Sequence, residues 1–129
     1  MKLYLSAFLL VFLSPLVLMG RHDPGSNAIL LEKAEKAYKN REYGSVLSLL
    51  EKIDTSAAFR DMGFWLKYHG IAARCLNMQG DSKAAEKLFN RIVEVSIEKH
   101  PYLVDSNLVE ALYYTGTFFT YQSDAKKSL

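Results

Sequence analysis

ARCLNMQGDSKAAEKLFNRI, residues 73–92, contains two apolar patterns of helical period with a short polar break between them. The first pattern reaches back through Leu66, His69, Ala72 and Ala73 and ends near Leu76. Gly80 stands just past it and suits the left-handed residue that closes a helix. Asp81 follows as an N-cap, and Ala85, Leu88, Phe89, Ile92 and Val95 form the next stripe at helical spacing. Helices joined by so short a break lie back against one another. The stretch is one helical hairpin.

Working outward, the same signals recur. The helix ending near Met78 is expected to begin at about Ala57, with Phe59, Met62, Trp65 and Leu66 on its apolar face. Gly63 and Gly70 fall inside it, and close approach of another backbone is the expected reason, since an interior glycine costs about 1 kcal/mol against alanine. Upstream, a helix over about residues 28–39 buries Leu30, Ala34, Ala37 and Tyr38 and sets Glu32/Lys36 and Glu35/Lys39 four apart. A helix over 43–53 follows, striped by Tyr43, Val46, Leu47, Leu50 and Ile53. Downstream, the helix from Ser82 stops near Glu98 before His100-Pro101. A fifth, over about 107–122, starts after Asp105 or Ser106 and turns Leu108, Ala111, Leu112, Thr115, Phe118 and Phe119 inward. The expectation is an all-α domain over residues 28–129 behind a linker at 21–27 (RHDPGSN), a size suited to one domain.

Tyr43-x-x-Val46-x-x-x-Leu50-x-x-Ile53 matches Ser82-x-x-Ala85-x-x-x-Phe89-x-x-Ile92 at an offset of 39 residues. Ser123-Asp124-Ala125-Lys126 parallels Gly80-Asp81-Ser82-Lys83 at an offset of 43. Repeated hairpins of this length point to a stacked helical array. In Ala73, Gly80, Ala85, Phe89 and Ile92, taken in order and spacing, the sequence resembles the tetratricopeptide repeat family. Ala34, Tyr43, Val46, Leu50 and Ile53 form a looser copy with Arg41 in place of the turn glycine. Gly116 and Phe119, followed by a turn at Ser123, begin a third. The resemblance covers about residues 28–129, although both intervals exceed the roughly 34 residues of that family. Other hairpin repeats of the Sel1-like or HEAT kind, and a plain helical bundle, stay open beside it.

The resemblance implies antiparallel hairpins stacked as a short right-handed solenoid, with the first helices lining a concave groove. Carried over residue by residue, the groove positions are Leu31, Glu35 and Tyr38, then Lys67, Gly70, Arg74 and Asn77, then Tyr113, Thr117 and Thr120. Lys67 and Arg74 lie two turns apart, where they either stay solvated or pair with a carboxylate of an extended peptide. Tyr113 and Tyr114 add contact area of the kind enriched at interfaces. Leu31, Glu35 and Gly70 stand where the family's chaperone-tail clamp needs Asn and Lys or Arg, so that specialised activity is not expected. Phe118, Phe119 and Tyr121 have no full helix after them, so this end is expected to dock on another chain or on its own copy as a homodimer.

Function classes narrow further by chemistry. Sixteen basic and 14 acidic residues leave a net charge of +2, too little to hold nucleic acid by its phosphates. Cys75 is the single cysteine and reads as a buried thiol. His22, His69 and His100 lack metal-ligand spacing, and His69 on an apolar face reads as a hydrogen-bonded core or groove histidine. The glycines form no phosphate-cradling loop. Neither enzyme activity, cofactor nor metal is expected. A pocket between Trp65, His69 and Tyr113 is the one place a small ligand would be sought.

Residues 1–20, MKLYLSAFLLVFLSPLVLMG, read as a targeting segment: Lys2 precedes an uncharged run to Gly20. The run is intermediate between a secretory leader and a membrane span, so cleavage and retention as an N-terminal anchor are both open. Ser26-Asn27-Ala28 is the better small-x-small cleavage site but lies where a helix begins. The sequence therefore reads as an exported interaction module, a scaffold or adaptor assembling an envelope or secretory-compartment complex with a protein or peptide partner. The second reading is a membrane-anchored structural subunit of one obligate complex.

Overall fold

The computed structural model describes residues 24–99 and 106–127. It places six helices in order: α1 (Pro24–Lys39), α2 (Tyr43–Glu51), α3 (Thr55–Ala58), α4 (Met62–Met78), α5 (Ser82–Lys99) and α6 (Ser106–Lys127). The chain is all-helical, with no strand among the described residues. Residues 1–20, His22 and the His100-Pro101 stop lie outside them. No described helix is long and apolar enough to cross a membrane.

Two turns built from the same hydrogen bonds shape the chain. After α1, the Glu42 N–H donates to Ala37 O at 2.9 Å and the Arg41 N–H to Tyr38 O at 2.9 Å. After α4, the Asp81 N–H donates to Leu76 O at 2.9 Å and the Gly80 N–H to Asn77 O at 3.0 Å. This pairing satisfies the last carbonyls of a helix and needs a left-handed residue at its corner. Gly80 supplies it at φ 90°; Arg41, 39 residues earlier, supplies it at φ 62° against steric resistance from its own Cβ. The hairpins α1–α2 and α4–α5 thus turn the same way at equivalent places. Asp81 also accepts from the Ala84 N–H at 3.1 Å, whereas Glu42 gives α2 no side-chain cap.

Three sequence expectations are corrected here. The helix expected from Ala57 is broken into α3 and α4, because Asp54 caps one and Asp61 the other. Asp61 accepts from the Gly63 and Phe64 N–H groups at 2.9 and 3.3 Å, and tight turns through Arg60 and Asp61 separate the two helices. The linker expected at 21–27 runs into α1, which begins at Pro24, a residue tolerated in a first turn where no acceptor awaits its missing N–H. The turn expected at Ser123 is absent: α6 continues to Lys127.

The early start of α1 places Asn27 inside the fold. It is buried, its Oδ1 accepts from the Asp54 N–H at 3.1 Å, and its Nδ2 donates to Asp54 O at 3.4 Å. One side chain thus fastens α1 to the corner between α2 and α3, and the Ser26-Asn27-Ala28 site lies within that first turn.

Helix α4 is the centre of the molecule and packs against α1, α2, α5 and α6. Ile71, Ala72 and Cys75 join Ala34, Val46 and Leu50 in one apolar cluster. Leu66 and Ala73, on its other side, join Ala85, Phe89, Ile92 and Phe118 in a second. Cys75 is a buried free thiol that donates to Tyr43 O at 3.2 Å, and burial pushes its pKa up. Gly70 does not mark a close backbone approach, since a Cβ there would meet nothing within 4 Å.

Candidate protein-binding surface

Apart from Asn77, which is exposed at the end of α4, the expected groove residues divide into three groups. Leu31 is core, only 5% exposed, and is removed from the surface: it stands three residues before Ala34 on the face of α1 that packs into the first apolar cluster. Glu35, Tyr38, Lys67, Gly70 and Arg74 come together along α1 and α4, but they engage each other. Tyr113, Thr117 and Thr120 come together on α6 and face outward.

In the second group every charge is already answered. Lys67 Nζ lies 2.7 Å from Glu35 Oε2, and Lys39 Nζ lies 3.5 Å from Oε1 of the same carboxylate. The hydrogen bond from Lys67 holds the Glu35 carboxyl below its ordinary pKa, against the opposing effect of partial burial. The Arg74 guanidinium lies 3.9 Å from the Tyr114 ring centre and 4.9 Å from that of Tyr38. Its Nε donates to Gly70 O at 3.2 Å and its Nη2 is 3.8 Å from Glu110 Oε1. Burial raises the Tyr38 pKa. Lys67 and Arg74 are therefore engaged between helices, with Glu35 and with Glu110, Tyr38 and Tyr114. The cavity beside them, between Gly70, Arg74, Glu110 and Tyr114, holds about 10 Å3, room for roughly one water molecule.

The two ion pairs share a register. Arg74 stands 39 residues after Glu35, and Glu110 stands 43 after Lys67, the same offsets that relate the hairpins in sequence. The ion pair between α4 and α6 thus stands at the positions equivalent to the one between α1 and α4, with the charges reversed.

The third group belongs to a wider surface. Val109 is 71% exposed, Tyr113 67% and Tyr121 71%. Leu112, expected inward, is 40% exposed and is corrected to the outer face: Leu108, Ala111, Thr115 and Phe118 take the inward side, and Leu112 falls off that stripe. Phe118, expected inward, is buried against Phe89 with ring centres 4.7 Å apart, although no full helix follows it. Thr117 and Thr120 donate their hydroxyls to Tyr113 O and Gly116 O at 2.9 and 2.8 Å, so they offer mainly methyl groups outward. With Leu112, Tyr113, Gly116 and Tyr121 they line a concavity of about 580 Å3. Leu112 also lines an apolar groove of about 340 Å3 with Val93, Ser96 and Ile97 of α5. Asn77 borders a third hollow with Phe118, Tyr121 and Gln122.

Trp65, His69 and Tyr113 do not form a joint pocket. The Trp65 and His69 rings stack at 4.1 Å beside Phe59 and Tyr68, and Tyr113 lies against Tyr114 on α6. His69 Nδ1 bonds to Trp65 O at 2.9 Å, and burial depresses its pKa. No group of three or more potential metal ligands occurs among the described residues.

Sequence reasoning missed Val109 and misplaced Leu112. The available signal was a second stripe on α6, Val109-Leu112-Gly116-Thr120, beside the inward one. No protein-family model, curated protein or solved structure matches the chain.

Proposed function

We propose that this chain is a protein-interaction module of two and a half tetratricopeptide-like hairpins, exported or held at a membrane through residues 1–20, that serves as a scaffold or adaptor in assembling a complex. One observation carries the proposal: the outer face of α6 leaves Val109, Leu112, Tyr113 and Tyr121 exposed side by side. Scattered exposed apolar residues are ordinary, but a contiguous set with adjoining concavities is the mark of a contact surface. The equivalent ion pairs and matching turns support the repeated-hairpin arrangement. The partner surface shifts from the groove of α1 and α4, whose charges are tied internally, to α6.

A photoreactive residue placed at Val109, Leu112 or Lys33 in the full-length chain, in cells, tests this. Crosslinks to one or a few defined proteins from the two α6 positions, and none from Lys33 on the charged outer side of α1, are expected. Equal labelling from all three positions refutes the assignment. A single partner in fixed stoichiometry selects the obligate subunit over the adaptor.

A further inference from the structure

We propose that the outer face of α6, with the adjoining edge of α5, seats an amphipathic helix of a partner protein, antiparallel to α6 and with a small residue packed over Gly116. This rests on the interaction-module reading and specifies its ligand.

The equivalent ion pairs fix the register between α4 and α6, and the remaining positions follow. Leu66 corresponds to Val109, His69 to Leu112, and Ala73 to Gly116. In α4, Leu66 and Ala73 are 0% exposed, clustered with Ala85, Phe89 and Ile92 of α5. In α6, Val109 and Leu112 stand open, and a Cβ added to the exposed Gly116 would meet nothing within 4 Å. Helix α6 therefore carries the face that α4 uses to receive α5, without a helix on it. Where α4 ends and Gly80 turns the chain back, α6 runs on through Ser123, so no described residue returns to cover that face.

The helix that fills the equivalent place shows what fits. Helix α5 brings a small residue, Ala85, followed by Leu88, Phe89 and Ile92 at +3, +4 and +7. The partner helix needs that spacing, with its flank lying in the groove of Val93, Ile97 and Leu112. The exposed helices of a second copy do not carry that spacing. On α6, Gly116 is followed by Phe119, Thr120 and Ser123 at +3, +4 and +7. On the outer sides of α1 and α5, the exposed Ile29 and Ile97 stand among Glu32, Lys33 and Lys36 and Lys83, Glu86 and Lys87.

A fluorescein-labelled synthetic peptide of residues 82–99, α5 itself, is the probe. Titrated with the full-length chain, it should give a saturable rise in anisotropy. Leu112→Asp and Val109→Asp, both at exposed positions and checked for retained helicity by circular dichroism, should each weaken binding by about tenfold or more. A peptide carrying Phe89→Asp should not bind. Absence of saturable binding, or binding indifferent to both variants, overturns the proposal. So does a dimer, seen in sedimentation, that Leu112→Asp dissociates and that excludes the peptide, because the occupant is then a second copy. Crosslinks from Val109 to another protein, with the peptide failing, would leave the interaction module standing and remove only the helical ligand.

Discussion

Arg41→Gly should stabilise the protein. Arg41 holds φ 62° at the corner between α1 and α2, where Gly80 holds φ 90° in the following hairpin. For an L residue with a Cβ, the left-handed region costs about 1–2 kcal/mol. Glycine escapes that cost but loses about 0.4–1 kcal/mol through its freer unfolded chain. The difference leaves a net gain of about 0.5–1 kcal/mol, or about 2–8 °C in the midpoint of a domain near 100 residues. Arg41→Ala is the control: it removes the guanidinium and keeps the Cβ, so it should leave the midpoint within about 1 °C. The assay is thermal and urea unfolding followed by helical circular dichroism. If Arg41→Gly matches Arg41→Ala, the corner is not strained and the equivalence of the two turns loses its energetic support.

Four further outcomes are expected. Asn27→Ala removes the side-chain acceptor of the Asp54 N–H at the α2–α3 corner, and one of the donors to Asp54 O, and should cost about 1–3 kcal/mol in urea unfolding. Gly70→Ala places a methyl in open space inside a helix and should add up to about 1 kcal/mol, read as a higher urea midpoint. Arg74→Ala should cost about 2–3 kcal/mol and Lys67→Ala no more than about 1. Arg74 is stacked between two rings and little exposed, whereas Lys67 makes a partly solvated ion pair. Two groups weaken the fold on acidification. His69 has a folded pKa below its ordinary value, so its neutral form is favoured by folding; stability is flat above that ordinary value and falls as pH drops below it. The lowered Glu35 pKa contributes stability above the ordinary carboxylate value that disappears as pH falls through the folded one. Urea midpoints taken from pH 8 to pH 3 should fall in two stages, and His69→Phe should erase the upper one.

The helices and their pairing were legible because turn chemistry and apolar period agreed around Gly80 and Asp81. The break before α4 was not, because Phe59 keeps the apolar period going while Asp61 ends the helix by capping the next one, a local hydrogen bond that a pattern of hydrophobicity does not register. Asn27 was illegible for a related reason: its partner is a backbone group 27 residues away. On the surface, Glu35, Lys67 and Arg74 were placed on the right helices, yet their roles depended on what stood opposite. Glu35 answers Lys67, and Tyr38, Tyr114 and Glu110 enclose Arg74. One sequence read helix by helix shows the side chain and hides its neighbour.

The same pairings show how two hairpins can share a geometry with few residues in common. An interhelical tie needs opposite charges at two positions, and it is indifferent to which helix carries which sign. Glu35 against Lys67 becomes Arg74 against Glu110 one hairpin later, so the contact repeats while both identities change. A hairpin corner needs a left-handed backbone, which glycine gives freely and arginine gives at a cost, so Arg41 and Gly80 share a turn and no chemistry. A core position facing the next helix needs a fit in volume: Ala73 is buried under α5, whereas Gly116, at the corresponding place on α6, is exposed. What the two ion pairs and the two turns share is the placement of charges and corners along α1, α4 and α6, and α6 ends in a face of apolar side chains open to solvent.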